Sequence, residues 1–147
     1  MTRLGTIAVF LRSQNTLALA TISESCAPRV TPLYYLAGDD LKLYWFSSRA
    51  SEHSRSLRRN AQAAVAVYRP SQSWREIRGA QMRGRATEAR DAAVRRAIEE
   101  AYARRFGLGR ILRAALKKST LYVFEPEWVR YVDNSRRLGA KLETRIG

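Results

Sequence analysis

The spacing of apolar residues divides the chain into short extended segments joined by brief helices. Ile7, Phe10 and Leu11 recur at helical spacing, which predicts a helix from about Thr2 to Gln14. After it, β-branched and aromatic runs bounded by turn-forming residues are typical of strands. The predicted extended segments are Thr16 to Ile22, Arg29 to Leu36, Leu41 to Phe46, Ala63 to Tyr68, the longer run Trp74 to Ala89, Thr120 to Phe124 and Glu127 to Val132.

Turns and helices fill the intervals between these strands. The polar stretches Ser23 to Pro28 and Ala37 to Asp40 predict turns, and Pro126 separates the last two strands. Helical patterns predict three further helices. They cover about Ser51 to Arg58, Asp91 to Phe106 (capped by Asp91 and stopped by Gly107) and Leu108 to Leu116.

This order of elements predicts a mainly β protein with helices. Strands follow one another through short turns, which favours an antiparallel β-barrel of about six to seven strands. A doubly wound parallel sheet would need regular helical crossovers, and the pattern lacks them. With 147 residues, 46% of them apolar, we expect residues 1–147 to form a single domain with one core.

The net charge is the strongest departure from average composition. Lys and Arg number 27 against 13 Asp and Glu, a formal charge of +14, which makes nucleic acid or another polyanion a candidate partner. The arginines are nevertheless dispersed along the chain and often stand beside acidic residues, as on a solvated surface. A basic polyanion-binding module therefore remains an alternative, and nucleic acid is the less favoured partner.

Cysteine usage and hydropathy indicate the compartment. Cys26 is the only cysteine, so it has no partner for an internal disulfide and no Cys/His cluster for zinc, and we expect no metal site. Met1 to Gln14 lacks the features of a signal peptide, and no run approaches the roughly 20 apolar residues of a membrane span. We expect a cytoplasmic protein without membrane contact.

The stretch from Phe46 to Leu57 carries the most specific chemistry. A strand ends there in a turn rich in hydroxyl groups and cations that opens a helix, and helix N-termini bind anions through backbone N–H groups and the helix dipole. Ser47, Ser51 and His53, the only histidine, are the candidate phosphate ligands. The alternative is that Ser51 simply caps the helix and His53 is a surface residue.

The order of pieces resembles the FMN-binding split-barrel proteins related to pyridoxamine 5'-phosphate oxidase, most of all a small, functionally uncharacterised bacterial branch. That branch shares the Ile-Arg-Gly-x-Gln-x-x-Gly pattern that begins at Ile77, the Arg104-Arg105-Phe106 helix end and Asp133-Asn134, although this last pair also suits a turn. The matching segments are Thr16 to Ile22 with Pro28 to Tyr35, Tyr44 to Leu57 with Asn60 to Tyr68, Ile77 to Ala86, and Leu121 to Asp133.

The resemblance implies where a flavin would lie. The second strand of the relatives passes under the flavin ring, and it corresponds here to Thr31, Pro32, Leu33 and Tyr34, with Thr31 where the oxidases have an arginine. The end of the third strand, another flavin contact, falls on Phe46 and Ser47. Aromatic residues on strands are also common in ordinary cores, so Tyr34 and Phe46 have that alternative role.

Two family positions carry different residue types in this chain. The Arg-Lys pair that opens the phosphate-binding helix of the oxidases falls on Glu52 and His53, with Arg49 and Arg55 as candidate replacements for the lost charge. A flavin-contacting glutamine falls on Gly79, and the neighbouring Arg78 and Gln81 are the candidates to face the same pocket. Gln81 is favoured because an amide both donates and accepts hydrogen bonds.

By the same resemblance, the expected cofactor is FMN and the expected activity is oxidoreduction of an unidentified small molecule. The relatives are homodimers whose flavin sites lie at the subunit interface, so a homodimer is implied. The hydride chemistry would belong to the cofactor, and no catalytic residue is assigned. A non-catalytic carrier or sensor with the same barrel, binding haem or a deazaflavin, is the alternative.

Overall fold

The computed structural model describes residues 2–38 and 40–147. Four helices lie in that part of the chain, α1 (Arg3–Ser13), α2 (Glu52–Arg59), α3 (Ala92–Phe106) and α4 (Arg110–Lys118). The strands described there are β1 (Thr16–Ile22), β2 (Pro28–Tyr34), β3 (Leu36–Ala37), β4 (Leu43–Ser47), β5 (Gln62–Tyr68), β6 (Arg78–Glu88), β7 (Thr120–Asp133) and β8 (Lys141–Arg145).

The strands form one antiparallel sheet that returns on itself. Its order is β2-β1-β5-β6-β7-β4-β3, and β8 adds to β7 beyond the end of β4. The two outermost strands, β2 and β3, are consecutive in the chain with only Tyr35 between them. Because one short corner joins the two ends of the sheet, the strands enclose a barrel, and the predicted mainly β, antiparallel barrel with helices is confirmed.

Tyr35 makes the corner and corrects one predicted boundary. The sequence predicted a continuous strand from Arg29 to Leu36, but the pairing changes partner at Tyr35. Its backbone N–H donates to Asn15 O at 3.1 Å and its hydroxyl donates to Leu11 O, while the side chain is almost wholly buried. These bonds satisfy the polar groups of a residue that leaves one ladder and enters another.

β7 was predicted as two strands and is one strand of 14 residues. Pro126 does not end it, because the register with β6 shifts between Arg83 and Gly84, opposite the proline. A β-bulge tolerates the missing N–H of proline, which explains why the break predicted from Pro126 is wrong. Gly84 makes the close approach possible, since a Cβ there would lie 2.1 Å from Glu125 O.

The sequence did not predict β8 or the 3-10 turn that precedes β6. The described chain has eight strands rather than six or seven, partly because β8 is short and highly charged, as exposed edge strands often are. The predicted run from Trp74 to Ala89 begins with a 3-10 turn at Trp74–Glu76, so its strand starts only at Arg78. Asn134 Nδ2 donates to Trp74 O at 2.9 Å and holds that turn in place.

The helix caps follow the predicted chemistry. Ser51 Oγ accepts from Ser54 N–H at the start of α2, and Asp91 Oδ1 accepts from Val94 N–H at the start of α3. Gly107 ends α3 with φ +60°, a left-handed conformation that glycine adopts readily. The predicted turn from Ala37 to Asp40 includes Asp39, which lies outside the described residues.

The core fills the barrel from inside. Alternate residues of the strands point inward, among them Leu19, Val67 and Phe124, and α1 adds Ile7 and Leu11. Each fully buried aliphatic or aromatic side chain contributes about 1.5–3 kcal/mol to folding. Within the described ranges, no helix combines the length and apolar character that a membrane span requires.

We predict that Gly84→Ala destabilises the protein by about 3 kcal/mol or more, because the new methyl group would collide with the backbone of Glu125 and Pro126. Chemical denaturation followed by circular dichroism measures the loss. Gly109→Ala is the control, since a Cβ at Gly109 meets nothing within 4 Å. Equal stability of the two variants would contradict the proposed close contact at the bulge.

Candidate functional site

The turn between β4 and α2 brings three predicted ligands together. His53 Nε2 lies 2.8 Å from Ser47 Oγ and 3.2 Å from Ser51 Oγ. Ser51 Oγ also lies 2.6 Å from Ser54 Oγ, and Ser54 is fully buried. Ser47 is the last residue of β4, Ser51 caps α2, and His53 and Ser54 lie in the first turn of that helix. The predicted cluster is therefore present as a set of hydrogen-bonded side chains. Ser51 is both a helix cap and a member of this set.

Burial controls the charge of the cluster. His53 is partly buried, and this desolvation lowers its pKa from the ordinary value of 6.5, while the neighbouring Glu52 carboxylate acts in the opposite direction. The imidazole is therefore neutral near pH 7. Its Nε2 atom lies within hydrogen-bond distance of two hydroxyl groups and does not present a positive charge to them.

The helix start supplies further donors. The first bond of the α2 ladder runs from Arg55 N–H to Ser51 O at 3.0 Å. The backbone N–H groups of Glu52 and His53 precede it and have no carbonyl four residues back within the helix. Such groups at the positive end of a helix are suited to an anion.

The charges around this helix start are already paired. Arg29 Nε lies 2.9 Å from Glu52 Oε1, so a cation from β2 offsets the Glu52 carboxylate. Arg49 Nε lies 3.0 Å from Glu88 Oε1, and Arg55 donates to Ala50 O. The donors therefore fit a phosphate, but they do so through hydroxyl and N–H groups. The candidate replacements Arg49 and Arg55 have other partners.

The four predicted residues of β2 point to two sides. Thr31 and Leu33 are half-buried, and Leu33 packs on the core. Pro32 and Tyr34 are exposed, with Tyr34 at 60%. Only alternate residues of a strand share a face, so no single ligand lying on one face of β2 contacts all four side chains.

Aromatic rings from β2 and β4 meet α3 on the outside of the barrel. Tyr34 lies 4.9 Å from Phe106, and Phe46 lies 5.2 Å from Tyr102 between ring centroids. The Arg95 guanidinium stands 5.5 Å from the centroid of Phe46. The two predicted ring contacts thus belong to one aromatic surface, and α3 already covers part of it.

Arg78 and Gln81 do not join the cluster within one protomer. Ser47 pairs with Thr120 at the start of β7, whereas Arg78 pairs with Asp133 at its end. Fourteen residues at about 3.3 Å each separate those two positions by roughly 40 Å along the strand. Arg78 contacts Asp133 and Ser135, and Gln81 points outward.

One rung of the sheet holds buried polar atoms that the sequence analysis did not identify. Trp45 pairs with Tyr122 across β4 and β7, and Tyr122 pairs with Glu88 across β7 and β6. Trp45 Nε1 and Tyr122 Oη are buried without a hydrogen-bond partner, and Glu88 Oε1 is buried with Arg49 as its ion-pair partner. Only the register of three strands that are distant in sequence brings them together, so no local pattern could have indicated them.

Comparisons with known proteins agree with this architecture. Among solved structures, a conserved hypothetical protein from Mycobacterium tuberculosis is 20% identical, with a TM-score of 0.81 over 100% of this chain and 92% of that one. A heme binding protein from Mycobacterium smegmatis is 20% identical, with a TM-score of 0.75 over 99% of this chain and 58% of that one. At these identities the likeness shows the fold alone.

A further structure, the heme storage protein HutZ from Vibrio cholerae, is 19% identical, with a TM-score of 0.69 over 86% of this chain and 92% of that one. A search among curated proteins gives no match. The sequence profile of pyridoxamine 5'-phosphate oxidase matches residues 5–133, which include seven of the eight described strands. The chain belongs to the pyridoxamine 5'-phosphate oxidase family and folds as one of its split barrels.

Proposed function

We propose that this protein binds FMN, with the phosphate at the N-terminus of α2. The observation that carries the proposal is the cluster of Ser47, Ser51 and His53 beside the open backbone N–H groups of the first helical turn. Hydroxyl groups, an imidazole and oriented amides are suitable donors to phosphate oxygens. Arg29 supports them by neutralising Glu52.

The same turn places an aromatic surface next to the phosphate donors. Phe46 and Ser47 are the last two residues of β4, so a ligand that passes around the end of this strand can contact both side chains, and Tyr34 joins the ring of Phe46 through Phe106 and Tyr102. These rings are the side chains proposed to contact the flavin. FMN would supply hydride transfer, and the proposed activity is oxidoreduction of a small molecule. The chain's own part is to hold the phosphate and orient the ring system.

We also propose a homodimer that completes the site. A shallow apolar groove of about 440 Å³ lies on the outer face of β1, β5 and β6. Alanine side chains form part of its lining. Val30, which is 70% exposed, and Gln81 also line it. A second copy packed on this face would bring its own Gln81 toward a site that the first copy's Gln81 cannot reach. The alanines in the lining are Ala18, Ala20, Ala64 and Ala66.

Haem is the second candidate ligand. Two structures with this fold are named for heme binding and heme storage. In this chain, Glu52 and a neutral His53 occupy the positions where the family oxidases hold phosphate with two cations. A weaker phosphate site favours a ligand that does not depend on phosphate, so a haem carrier is the alternative to a flavoenzyme.

A direct titration separates the two candidates. We predict that FMN added to the purified protein gives a saturable change in flavin absorbance, and that Ser47→Ala weakens FMN binding by about tenfold through loss of a hydrogen bond to a charged group. Haemin titrated in parallel is expected to show no saturable Soret shift. Stoichiometric haemin binding without FMN binding would overturn the flavin proposal.

The lowered pKa of His53 gives the FMN affinity a distinctive pH dependence. A bound phosphate stabilises the imidazolium, so binding raises the pKa of His53 and takes up a proton. We predict that FMN affinity rises as pH falls from about 8 to about 6, and that His53→Asn removes this part of the slope. Protonation of the phosphate itself affects both proteins equally. Parallel slopes would contradict a contact between His53 and phosphate.

The dimer proposal predicts that Ala66→Glu produces a monomer, because the carboxylate would be buried in the apolar groove. Analytical ultracentrifugation of the wild type and the variant measures the change, and circular dichroism checks that the barrel remains folded. Ala93→Glu, on the exposed side of α3, is the charge-matched control. A monomeric wild type would rule out this interface.

A further inference from the structure

A basic cleft lies at the opposite end of α2 from the turn that holds Ser47 and His53. It occupies about 380 Å³ between the C-terminal end of α2 and the end of β6. Four arginines contribute to its lining, and they come from positions that are separate in sequence but adjacent in the fold. They are Arg58 and Arg59 of α2, Arg85 of β6, and Arg90 just after β6.

The positive charge of this cleft is largely uncompensated. Arg58, Arg59 and Arg85 have no acidic partner among the described residues. Arg90 Nη2 lies 3.4 Å from Glu88 Oε2, and Arg49 Nε shares the other oxygen of the same carboxylate at 3.0 Å. The lining therefore combines four guanidinium groups with the single carboxylate of Glu88. Guanidinium groups are well suited to bidentate contacts with phosphate.

One unpartnered buried hydroxyl group also belongs to the cleft. Tyr122 lines it with only 1% of its surface exposed, and its hydroxyl has no hydrogen-bond partner. Glu88 also lines the cleft, and its carboxylate is ion-paired with Arg49 and Arg90. A buried polar group without a partner is costly, so its presence in a cavity points to a group that satisfies it there.

We propose that this cleft binds a small phosphorylated molecule. The arginines would hold its phosphate, and Tyr122 with Glu88 would receive a hydroxyl or amino group of the same molecule. A cavity of about 380 Å³ suits a small ligand better than a nucleic acid chain. The site uses none of the residues assigned to the flavin, so the inference does not rest on the proposed function.

Isothermal titration calorimetry of the full chain with pyrophosphate, at constant ionic strength, tests whether the arginines of the cleft bind phosphate. We expect saturable binding that Arg58→Gln and Arg85→Gln each weaken at least about tenfold, the scale of a lost charged hydrogen bond. Arg110→Gln, an exposed change of the same charge outside the cleft, should alter the affinity less than about twofold. Absent binding, or equal losses in all three variants, would overturn the proposal.

Further measurements test where the phosphorylated ligand binds and which class of ligand the cleft accepts. Tyr122→Phe should lower the affinity for a sugar phosphate by about threefold or more while leaving thermal stability unchanged or higher, since the hydroxyl has no partner in the free protein. An unchanged affinity would overturn the role of Tyr122. Loss of pyrophosphate binding in Ser47→Ala but not in Arg85→Gln would overturn the proposal, because the pyrophosphate would then bind at the N-terminus of α2 instead of in the cleft. Binding of single-stranded DNA more tightly than pyrophosphate, weakened by Arg85→Gln, would show a nucleic-acid surface instead.

Discussion

β7 is the element on which the rest of the barrel depends. It pairs with β6 along almost its whole length on one side, and with β4 and then β8 on the other. A straight strand of 14 residues would not serve three partners in a closed barrel, and the bulge opposite Pro126 lets it bend. Gly84 permits this geometry because its lack of a side chain leaves room for the carbonyl of Glu125.

The path of β7 also determines what one protomer can offer a ligand. Its first residue fixes the end of β4, and with it Ser47 and the helix start that follows. Asp133, its last residue, pairs with Arg78 of β6 and accepts a hydrogen bond from Ser135 N–H in the turn that follows. The cluster of Ser47, Ser51 and His53 and the Arg78 region therefore lie at opposite ends of one strand. A ligand site that used both would need a second copy of the chain.

Local chemistry made much of the fold predictable. The caps at Ser51 and Asp91 and the stop at Gly107 are short-range signals, and the structure has them where the sequence predicted them. The errors arose where tertiary contacts override local preference. Pro126 lies inside a strand because a bulge accommodates it, and Tyr35 interrupts a strand because it joins the two ends of the sheet.

The site was predictable in part for the same reason. Ser47, Ser51 and His53 are close in sequence and close in space, whereas the Arg29–Glu52 pair joins β2 to α2 and gave no local signal. That pair offsets the carboxylate at the first residue of α2 with a cation from a neighbouring strand, so the candidate phosphate site does not carry an uncompensated negative charge.

The central claim is that the start of α2 recognises the phosphate of a flavin. The most direct test compares the dissociation constants of FMN and riboflavin, which differ only in that phosphate, for the wild-type protein at neutral pH. We expect FMN to bind at least about tenfold more tightly than riboflavin, the effect of one or more charged hydrogen bonds. Equal affinities would contradict it, because the phosphate would then contribute nothing to binding.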